Sequence, residues 1–313
     1  MQYTLYLIAG LVLLLAGGEF LVRGGVSLAG HLKISALVVG VTVVSFGTSA
    51  PELVVSLNAA ISGHPDISLG NVIGSNISNI GLVLALTVLI TPYFVNTRTV
   101  VRDWSVMIIV SIILIIFLFT GRALSRLEGI IMLTLLAVFV FGTLKHSRMQ
   151  LRKGKGSPPD IRYSVVISIF LIIVSSIALV IGADFLVKGA SEIARGFNIS
   201  ERVISVSVIA LGTSLPELAT SAVAAARKQN EISLGNIIGS NIFNILAILG
   251  ITSSIAPISI QDTGVLSFDL WYMLGISVLL MLLILPIKGS NLSRWKGAVL
   301  VLSYVLFLFF VYL

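Results

Sequence analysis

Long uncharged runs, separated by short polar segments, recur along the whole chain. The clearest runs cover residues 104–121, 163–183, 270–287 and 297–313. Runs of about 18 residues or more can cross roughly 30 Å of hydrocarbon as α-helices, whereas a membrane β-barrel would show alternating segments of about 10 residues. The pattern therefore predicts an all-α, polytopic membrane protein. Its ten predicted spans are 3–30, 35–62, 67–91, 102–120, 127–145, 163–194, 203–226, 232–256, 268–287 and 295–313.

Two copies of one sequence pattern make up the chain, offset by 165 residues. GTSAPEL at 47–53 recurs as GTSLPEL at 212–218, with six of seven residues identical. The same offset aligns, without a gap, 17–35 with 182–200 and 67–80 with 232–245. Each copy holds five predicted spans, and an odd number of spans inverts the second copy in the membrane. We therefore predict two inverted-topology five-helix repeats, 1–145 and 163–313, joined by a basic linker, 146–162.

Composition agrees with a membrane protein and narrows the possible chemistry. The chain is 57% hydrophobic and 11% charged, with a mean hydropathy of +1.09, whereas about a quarter of the residues in a soluble protein are charged. The lack of cysteine excludes disulfides and thiolate metal sites. The three histidines, His31, His64 and His146, lie at predicted span ends without ligand spacing. We therefore expect no histidine-based catalysis and no cofactor.

Basic residues are unevenly distributed over the predicted loops, and this orients the chain. Four of them, Arg122, Arg126, Arg195 and Arg202, fall on one side. Fourteen fall on the other: Lys33, Arg98, Arg102, Lys145, Arg148, Arg152, Lys153, Lys155, Arg162, Arg227, Lys228, Lys288, Arg294 and Lys296. Because basic loops mark the cytoplasmic side, we predict both termini outside, the central loop in the cytoplasm, and a location in the cell (inner) membrane. The net charge of +7 then reflects topology rather than nucleic-acid binding.

Each repeat carries a proline inside its second span. Pro51 and Pro216 lie within apolar stretches, and Gly47 and Gly212 precede them. Proline lacks the N–H donor and clashes with the carbonyl four residues earlier, so both spans should break. The breaks should free carbonyls around residues 45–48 and 210–213. Free carbonyls in hydrocarbon are costly unless something binds them.

Glu52 and Glu217 follow the two breaks directly and are the acids that we place deepest in the membrane. A carboxylate at that depth is costly and marks function by default, paired with a cation or a proton. Carboxylates, hydroxyls and carbonyls form an all-oxygen site, which suits hard cations such as Ca²⁺ and Na⁺. Two carboxylates neutralise one Ca²⁺, and they could equally face several Na⁺.

A second repeated motif, in the third and eighth spans, supplies further oxygens. Ser75 and Asn79 are four residues apart, as are Ser240 and Asn244, so each pair shares a helix face. The motif also contains Asn71, Asn76, Asn236 and Asn241. These side chains could complete the site from the opposite wall. Alternatively, they only join helices, because polar and small residues commonly do so in membranes.

Other charged residues are expected to have structural or solvated positions. Glu19 with Arg23, and Asp184 with Lys188, are spaced for ion pairs along one helix face, with a gating role as the alternative. The remaining acids fall at predicted span ends or in loops, where we expect them to be solvated: Asp66, Asp103, Glu128, Asp160, Glu192, Glu201, Glu231, Asp262 and Asp269.

The doubled motifs GTSAPEL with GNVIGSNISN, and GTSLPEL with GNIIGSNIFN, resemble the paired α-repeats of the sodium/calcium exchanger family, within the cation/calcium exchanger superfamily. The resemblance covers essentially the whole chain and is closest to minimal, prokaryotic-type members. It implies a ten-helix antiporter that exchanges extracellular Na⁺ for cytosolic Ca²⁺ by alternating access. It also implies that the first and sixth helices slide across a core built from the other eight.

The resemblance implies a set of ion-binding residues. Glu52 and Glu217 match the central glutamates of the family. The remaining members of the set are Thr48, Thr213, Asn79, Asn244, Ser75, Ser240, Ser45, Ala210, Ser49 and Ser214. Several family members, including potassium-dependent ones, have an aspartate where this chain has Asn244. An amide adds no negative charge, so we predict transport that is independent of K⁺.

Three other functions remain open at this point. Paired carboxylates could exchange Ca²⁺, or another divalent cation, for protons, although the neighbouring serines and threonines favour Na⁺. A passive cation channel lined by glutamates would never concentrate Ca²⁺ against its gradient. A membrane enzyme would need a nucleophile, a histidine or a phosphate loop beside the two acids, and the sequence offers none. We expect the lipid bilayer, Ca²⁺ and Na⁺ as partners, no nucleic acid, and function as a monomer.

Overall fold

A computed structural model describes residues 2–94, 97–154, 159–197, 210–260, 264–285 and 291–312. The first half contains α1 (Gln2–Leu32), α2 (Ala36–Thr48), α3 (Ala50–Ile61), α4 (Pro65–Ile90), β1 (Tyr93–Phe94), α5 (Thr97–Gly121), β2 (Ala123–Leu124) and α6 (Arg126–Arg152). The second half contains α7 (Val165–Gly196), α8 (Ala210–Gly212), α9 (Leu215–Ala226), α10 (Asn230–Ile255), β3 (Ile258–Ser259), α11 (Val265–Ile284), β4 (Asn291–Leu292) and α12 (Arg294–Tyr312).

The predicted all-α membrane fold is confirmed. In the described ranges, eight helices are long and apolar enough to cross a membrane, and the bent pair α2–α3 makes a ninth. Of the predicted seventh span, 203–226, residues 203–209 lie outside the described ranges, and the remainder forms α8 and α9. Helix α6 continues to Arg152 rather than ending at 145, because nothing in the polar segment that follows breaks a helix before Gly154.

The most buried spans, α4 and α10, lie at the centre of the molecule. Both change from α-helix to a π-helical turn at matching positions, Asn79–Leu84 and Asn244–Leu249. Such turns insert an extra residue per turn and occur often at functional sites. One apolar cluster joins α4 and α10 to α5, α11 and α12. These helices form the body against which the broken spans pack.

Helices α1 and α7 form an antiparallel pair. They contribute to a second apolar cluster, to which α2 also contributes. Their backbones touch at glycines. A Cβ added at Gly10 would lie 2.7 Å from the Leu186 amide nitrogen and 2.8 Å from the Gly182 carbonyl oxygen. Close backbone approach through glycine is a common way for membrane helices to associate, since lipid provides no hydrophobic drive between them.

Two short antiparallel strand pairs join the halves. β1 pairs with β4, aligning Tyr93 with Leu292, and β2 pairs with β3, aligning Ala123 with Ser259. Each pair takes one strand from each half, so the two loops that it joins must lie on the same membrane face. The predicted topology meets this condition, because six predicted spans separate β1 from β4 and four separate β2 from β3. A strand of two residues is too short to show the alternation of apolar and polar positions from which strands are predicted, so neither strand pair was predicted.

The two predicted ion pairs are present. Glu19 lies 2.5 Å from Arg23, and Asp184 lies 2.7 Å from Lys188. Glu19 also binds Arg227, at 2.7 Å, a contact that the sequence did not predict. This second contact links α1 to the end of α9, and it has no signal in the sequence because the partners are 208 residues apart.

Asp103 is the exception among the acids that we expected to be solvated. It is fully buried near the start of α5, and Arg102 Nη2 lies 2.7 Å from its Oδ1. Arg102 also donates a weak hydrogen bond to the Thr143 hydroxyl on α6, at 3.4 Å. The prediction was wrong because Asp103 lies at the end of the predicted span 102–120, where we expected water to reach it, whereas the folded chain buries this position completely. Glu201 and Asp262 lie outside the described residues.

Gly10→Ala should destabilise the α1–α7 pair, because the new methyl group meets backbone atoms that cannot move aside. Overpacking of this kind costs about 1–3 kcal/mol. The matched control is Gly142→Ala on the exposed side of α6, where an added Cβ meets nothing within 4 Å. Thermal unfolding of the purified protein in detergent measures both. Equal melting temperatures for the two variants would contradict the backbone contact.

Candidate functional site

The predicted break is present in both repeats and falls at the same residue of the repeat. Helix α2 ends at Thr48 and α3 begins at Ala50, with a bend of 47° between them. Ser49 leaves the helical conformation at φ −84° and ψ 12°. In the second repeat, α8 ends at Gly212 and α9 begins at Leu215, with Ser214 between them at φ −84° and ψ 0°. Each motif proline then lies at the start of the following helix, where its missing N–H has no partner to lose.

The break is narrower than the sequence suggested. The Ser45 carbonyl, expected to be free, accepts from the Ser49 amide at 2.9 Å and from the Thr48 hydroxyl at 3.3 Å. Helical bonding therefore continues up to the residue before the break. The carbonyl that Pro51 cannot bond is that of Gly47, four residues earlier. Pro216 has the same relation to Gly212.

Glu52 and Glu217 occupy the first turns of α3 and α9, and both side chains are 0% exposed. Glu217 Oε1 accepts from the Ser49 hydroxyl at 3.1 Å and from the Ser240 hydroxyl at 3.4 Å. The positive ends of two helices thus hold two buried carboxylates, and Ser49 in one repeat binds the carboxylate of the other.

The first break docks against α10 of the second repeat. Thr48 Oγ1 donates to Asn236 Oδ1 at 3.1 Å and lies 3.4 Å from Ser240 Oγ. Ser45 Oγ is 2.8 Å from the Gly40 carbonyl oxygen and 2.9 Å from that of Asn236. These hydroxyls therefore line the interface between the two repeats.

The second break makes different contacts. Ser78 Oγ donates to Ser214 Oγ at 3.0 Å. Thr213 is half-buried, and in the described structure it makes no hydrogen bond to Asn71 or Ser75, the counterparts of the residues that Thr48 binds. Ala210 begins α8. Equivalent residues of the two repeats are therefore in unequal environments.

Asn79 and Asn244, at the starts of the two π-helical turns, are fully buried. Asn79 Nδ2 donates to Asn241 Oδ1 at 3.1 Å, and Asn244 Nδ2 donates to Asn76 Oδ1 at 3.0 Å. Their own Oδ1 atoms have no hydrogen-bond partner. Ser75 is buried one turn before Asn79 on the same helix.

The structure thus brings Glu217, Ser45, Thr48, Ser49 and Ser240 into one hydrogen-bonded region. The carboxylate of Glu52, three residues after Ser49, is buried without a hydrogen bond. Four contacting residues lie outside the twelve predicted ligands: Ser78, Asn76, Asn236 and Asn241. The sequence offered the three asparagines only as possible contributors and did not indicate Ser78. The three asparagines belong to the repeated motif, which was the available signal. Ser78 had none, because its counterpart in the second repeat is Phe243. Among the described residues, no group of three or more His, Cys, Asp or Glu side chains comes together, so neutral oxygens make up the rest of the site.

Comparison with known proteins gives a consistent result. The family model described as sodium/calcium exchanger protein matches residues 2–145 and 167–313. The sodium/calcium exchanger MaX1 of Methanosarcina acetivorans is 33% identical over 97% of this chain and 97% of its own length. The inner membrane protein YrbG of Escherichia coli is 34% identical over 99% of this chain and 96% of its own.

A solved structure has the same fold. The sodium-calcium exchanger NCX_Mj, soaked with 2.5 mM Na⁺ and 0.1 mM Ca²⁺, matches with a TM-score of 0.81 and 33% identity, covering 98% of this chain and 97% of that chain. Both repeats match the family model, and the relatives align over nearly their whole length. This chain therefore belongs to the sodium/calcium exchanger family.

Proposed function

We propose that this chain is an antiporter that exchanges Na⁺ for Ca²⁺ across the membrane by alternating access, with the ions bound between Glu52 and Glu217. One observation carries the proposal: of the 13 buried side-chain oxygens without a hydrogen-bond partner in the described residues, five belong to the two glutamates and to Asn79 and Asn244. They are Oε1 and Oε2 of Glu52, Oε2 of Glu217, and Oδ1 of Asn79 and of Asn244. An unpaired buried acceptor costs about 1–3 kcal/mol, and more when it is charged. A cation between the repeats satisfies several of these oxygens together.

The oxygens also indicate which cations bind. Carboxylate, amide and hydroxyl oxygens are hard donors, which favour Ca²⁺ and Na⁺ over metals that prefer sulfur. Two carboxylates balance the charge of one Ca²⁺ or face several Na⁺. The hydroxyls of Thr48, Ser49 and Ser240 add neutral oxygens beside them. Ca²⁺ and Na⁺ then compete for one site, which is the requirement for exchange.

Burial of the two glutamates explains why transport would be coupled. Both are 0% exposed, and ionised carboxylates without a counter-ion are costly inside a membrane. An empty site therefore changes state rarely, whereas a loaded site is neutralised and changes state readily. Each crossing by Na⁺ then requires a return crossing by Ca²⁺.

The unequal contacts of the repeats support alternating access. Thr48 binds Asn236, but Thr213 does not bind Asn71, although the sequences match. Asn71 is partly exposed, whereas Asn236 is 0% exposed. Inverted repeats reach a second state when the halves exchange conformations around a fixed site. In that state, Thr213 takes the contacts that Thr48 makes here.

The α1–α7 pair supplies a moving unit for this change. Its close backbone contact at Gly10 favours motion of the two helices together. The strand pairs β1–β4 and β2–β3 link the remaining helices of the two halves. We propose that α1 and α7 slide across this core, as the family resemblance implies.

We propose K⁺-independent transport, because the amide of Asn244 adds no third charge to the two glutamates. We also propose two five-helix repeats, 1–145 and 163–313, with both termini outside, the basic segment 146–162 in the cytoplasm, and a location in the inner membrane. The distribution of basic residues supports this orientation, and the name of YrbG supports the location. A monomer suffices, since all proposed ligands come from one chain.

Proteoliposomes loaded with Na⁺ should accumulate radioactive Ca²⁺ when they are diluted into Na⁺-free buffer at constant pH. The outward Na⁺ gradient drives Ca²⁺ inward against its own gradient. Vesicles with equal Na⁺ on both sides serve as the control. Uptake that follows only a pH gradient would identify a Ca²⁺/H⁺ antiporter instead, and purely downhill flux would identify a channel.

Glu52→Gln and Glu217→Gln should each abolish this uptake and weaken Ca²⁺ binding by about 100-fold or more, equivalent to roughly 2.7 kcal/mol. Each substitution removes one negative charge and keeps the side-chain shape. The matched control is Glu128→Gln, at the start of α6, where glutamine can replace glutamate in the helix cap. Ca²⁺-dependent thermal stabilisation of the purified protein measures binding. Stabilisation that persists in either site variant would refute the proposed site.

Replacing choline by K⁺ on both sides of the vesicles should leave Na⁺-driven Ca²⁺ uptake unchanged, because the site has no third negative charge to hold K⁺. In the K⁺ arm, valinomycin holds the membrane potential constant. In the choline arm, the membrane potential is held at the same value. A rate that requires K⁺ contradicts the prediction.

A further inference from the structure

Four asparagine side chains connect α4 and α10, and we call them the asparagine cross: Asn76, Asn79, Asn241 and Asn244. Asn76 Nδ2 donates to the Asn241 backbone carbonyl at 3.2 Å, and Asn241 Nδ2 donates to the Asn76 carbonyl at 3.2 Å. Asn244 reaches Asn76 Oδ1 at 3.0 Å, and Asn79 reaches Asn241 Oδ1 at 3.1 Å. Every bond therefore has a counterpart of nearly equal length in the other repeat.

The two backbone carbonyls fix the orientation of all four amides. A carbonyl oxygen only accepts, so the atom of Asn76 that faces the Asn241 carbonyl must be the nitrogen. The oxygen of Asn76 is then the atom that meets Asn244. An oxygen needs a donor, so Asn244 must present its nitrogen there and turn its own oxygen away. The same reasoning, starting from the Asn76 carbonyl, orients Asn241 and then Asn79.

Two methionines close the cross from behind. Asn76 Nδ2 lies 3.7 Å from Met273 Sδ on α11, and Asn241 Nδ2 lies 3.5 Å from Met107 Sδ on α5. Both asparagines are almost completely buried. Each of their amide nitrogens therefore faces a carbonyl on one side and a thioether on another, which leaves little freedom for the side chain to rotate.

Simple helix-to-helix bonding does not account for this arrangement. A network that only joins helices is most stable when every buried polar atom has a partner. Here the inner members are fully engaged, whereas Asn79 Oδ1 and Asn244 Oδ1 are left buried and unpaired. The asparagine cross thus leaves two oxygens, Asn79 Oδ1 and Asn244 Oδ1, able to accept from a further group. They lie on the same helices as Ser75 and Ser240 of the proposed site.

We propose that Asn76 and Asn241 are positioning residues of the cation site, each acting through one partner: Asn76 through Asn244, and Asn241 through Asn79. They hold the partner amides with the oxygen, rather than the N–H₂ group, available to a cation. The inference rests on the proposed function and adds residues outside the predicted ligand set. It also explains why position 244 carries an amide, since an ionised aspartate has no N–H to donate to Asn76.

The test is a double-mutant cycle on Ca²⁺ affinity, measured by isothermal titration of the purified protein. Asn76→Ala alone should weaken binding about tenfold, a change of about 1.4 kcal/mol. In the Asn244→Ala background, Asn76→Ala should cause no further loss, because the amide that it orients is already absent. Contacting residues that act as one unit show such non-additivity.

The chain supplies its own control in the crossed combination. Asn76→Ala with Asn79→Ala should give losses that multiply, since these residues belong to different arms of the cross. The mirror cycle predicts that Asn241→Ala is non-additive with Asn79→Ala and additive with Asn244→Ala. A role confined to helix packing predicts the same coupling in both combinations.

Three results would overturn the inference. Losses that multiply for Asn76 with Asn244 show that Asn76 does not act through that amide. Failure of both Asn76→Ala and Asn241→Ala to fold, by circular dichroism and size exclusion, shows that the cross is needed for packing. Wild-type protein that binds no Ca²⁺ removes the proposed function as well, whereas normal wild-type binding with multiplying losses removes this inference alone.

Discussion

Two carboxylates buried in an apolar interior need a positive charge or hydrogen-bond donors, and here donors reach only one of their four oxygens. Ser49 and Ser240 bind Glu217 Oε1, and the other three oxygens have none. The structural features around the two glutamates partly compensate for the missing donors. The broken helices direct their N-terminal ends at the glutamates, and the π-helical turns place two amides beside the same interface. Under the proposed function, the transported ion supplies the positive charge that these oxygens lack.

Much of the fold and of the candidate site was predictable from the sequence, because it follows from the covalent chemistry of particular residues. Pro51 cannot donate a backbone hydrogen bond, so the break follows from the residue alone. The constant offset of 165 residues predicted that the break before Glu52 recurs before Glu217 and that both glutamates are buried. Apolar length fixed the helices, and i to i+4 spacing fixed the Glu19–Arg23 pair. These features depend on local sequence or on its exact repetition.

The parts that failed depend on which surfaces meet. Asp103 is buried by tertiary contacts around the start of α5, and Ser78 contributes because it faces Ser214 across the two repeats. The Ser45 carbonyl is bonded because the helix continues one turn further than the proline suggested. The orientation of the Asn79 amide is set by the side-chain oxygen of Asn241, on another helix. Tertiary contacts of this kind have no period or motif along the chain.

The Glu19–Arg227 ion pair has no equivalent between the corresponding residues of the two repeats. Arg227 corresponds to Ser62 in the first repeat. If the halves exchange conformations as proposed, Asp184, the counterpart of Glu19, has no arginine to meet. The mirror-image conformer therefore loses one ion pair. For a partly exposed pair this is worth on the order of 1 kcal/mol or less, a few-fold difference in population. Under the proposed mechanism, the exchanger at rest would favour one face of the membrane over the other.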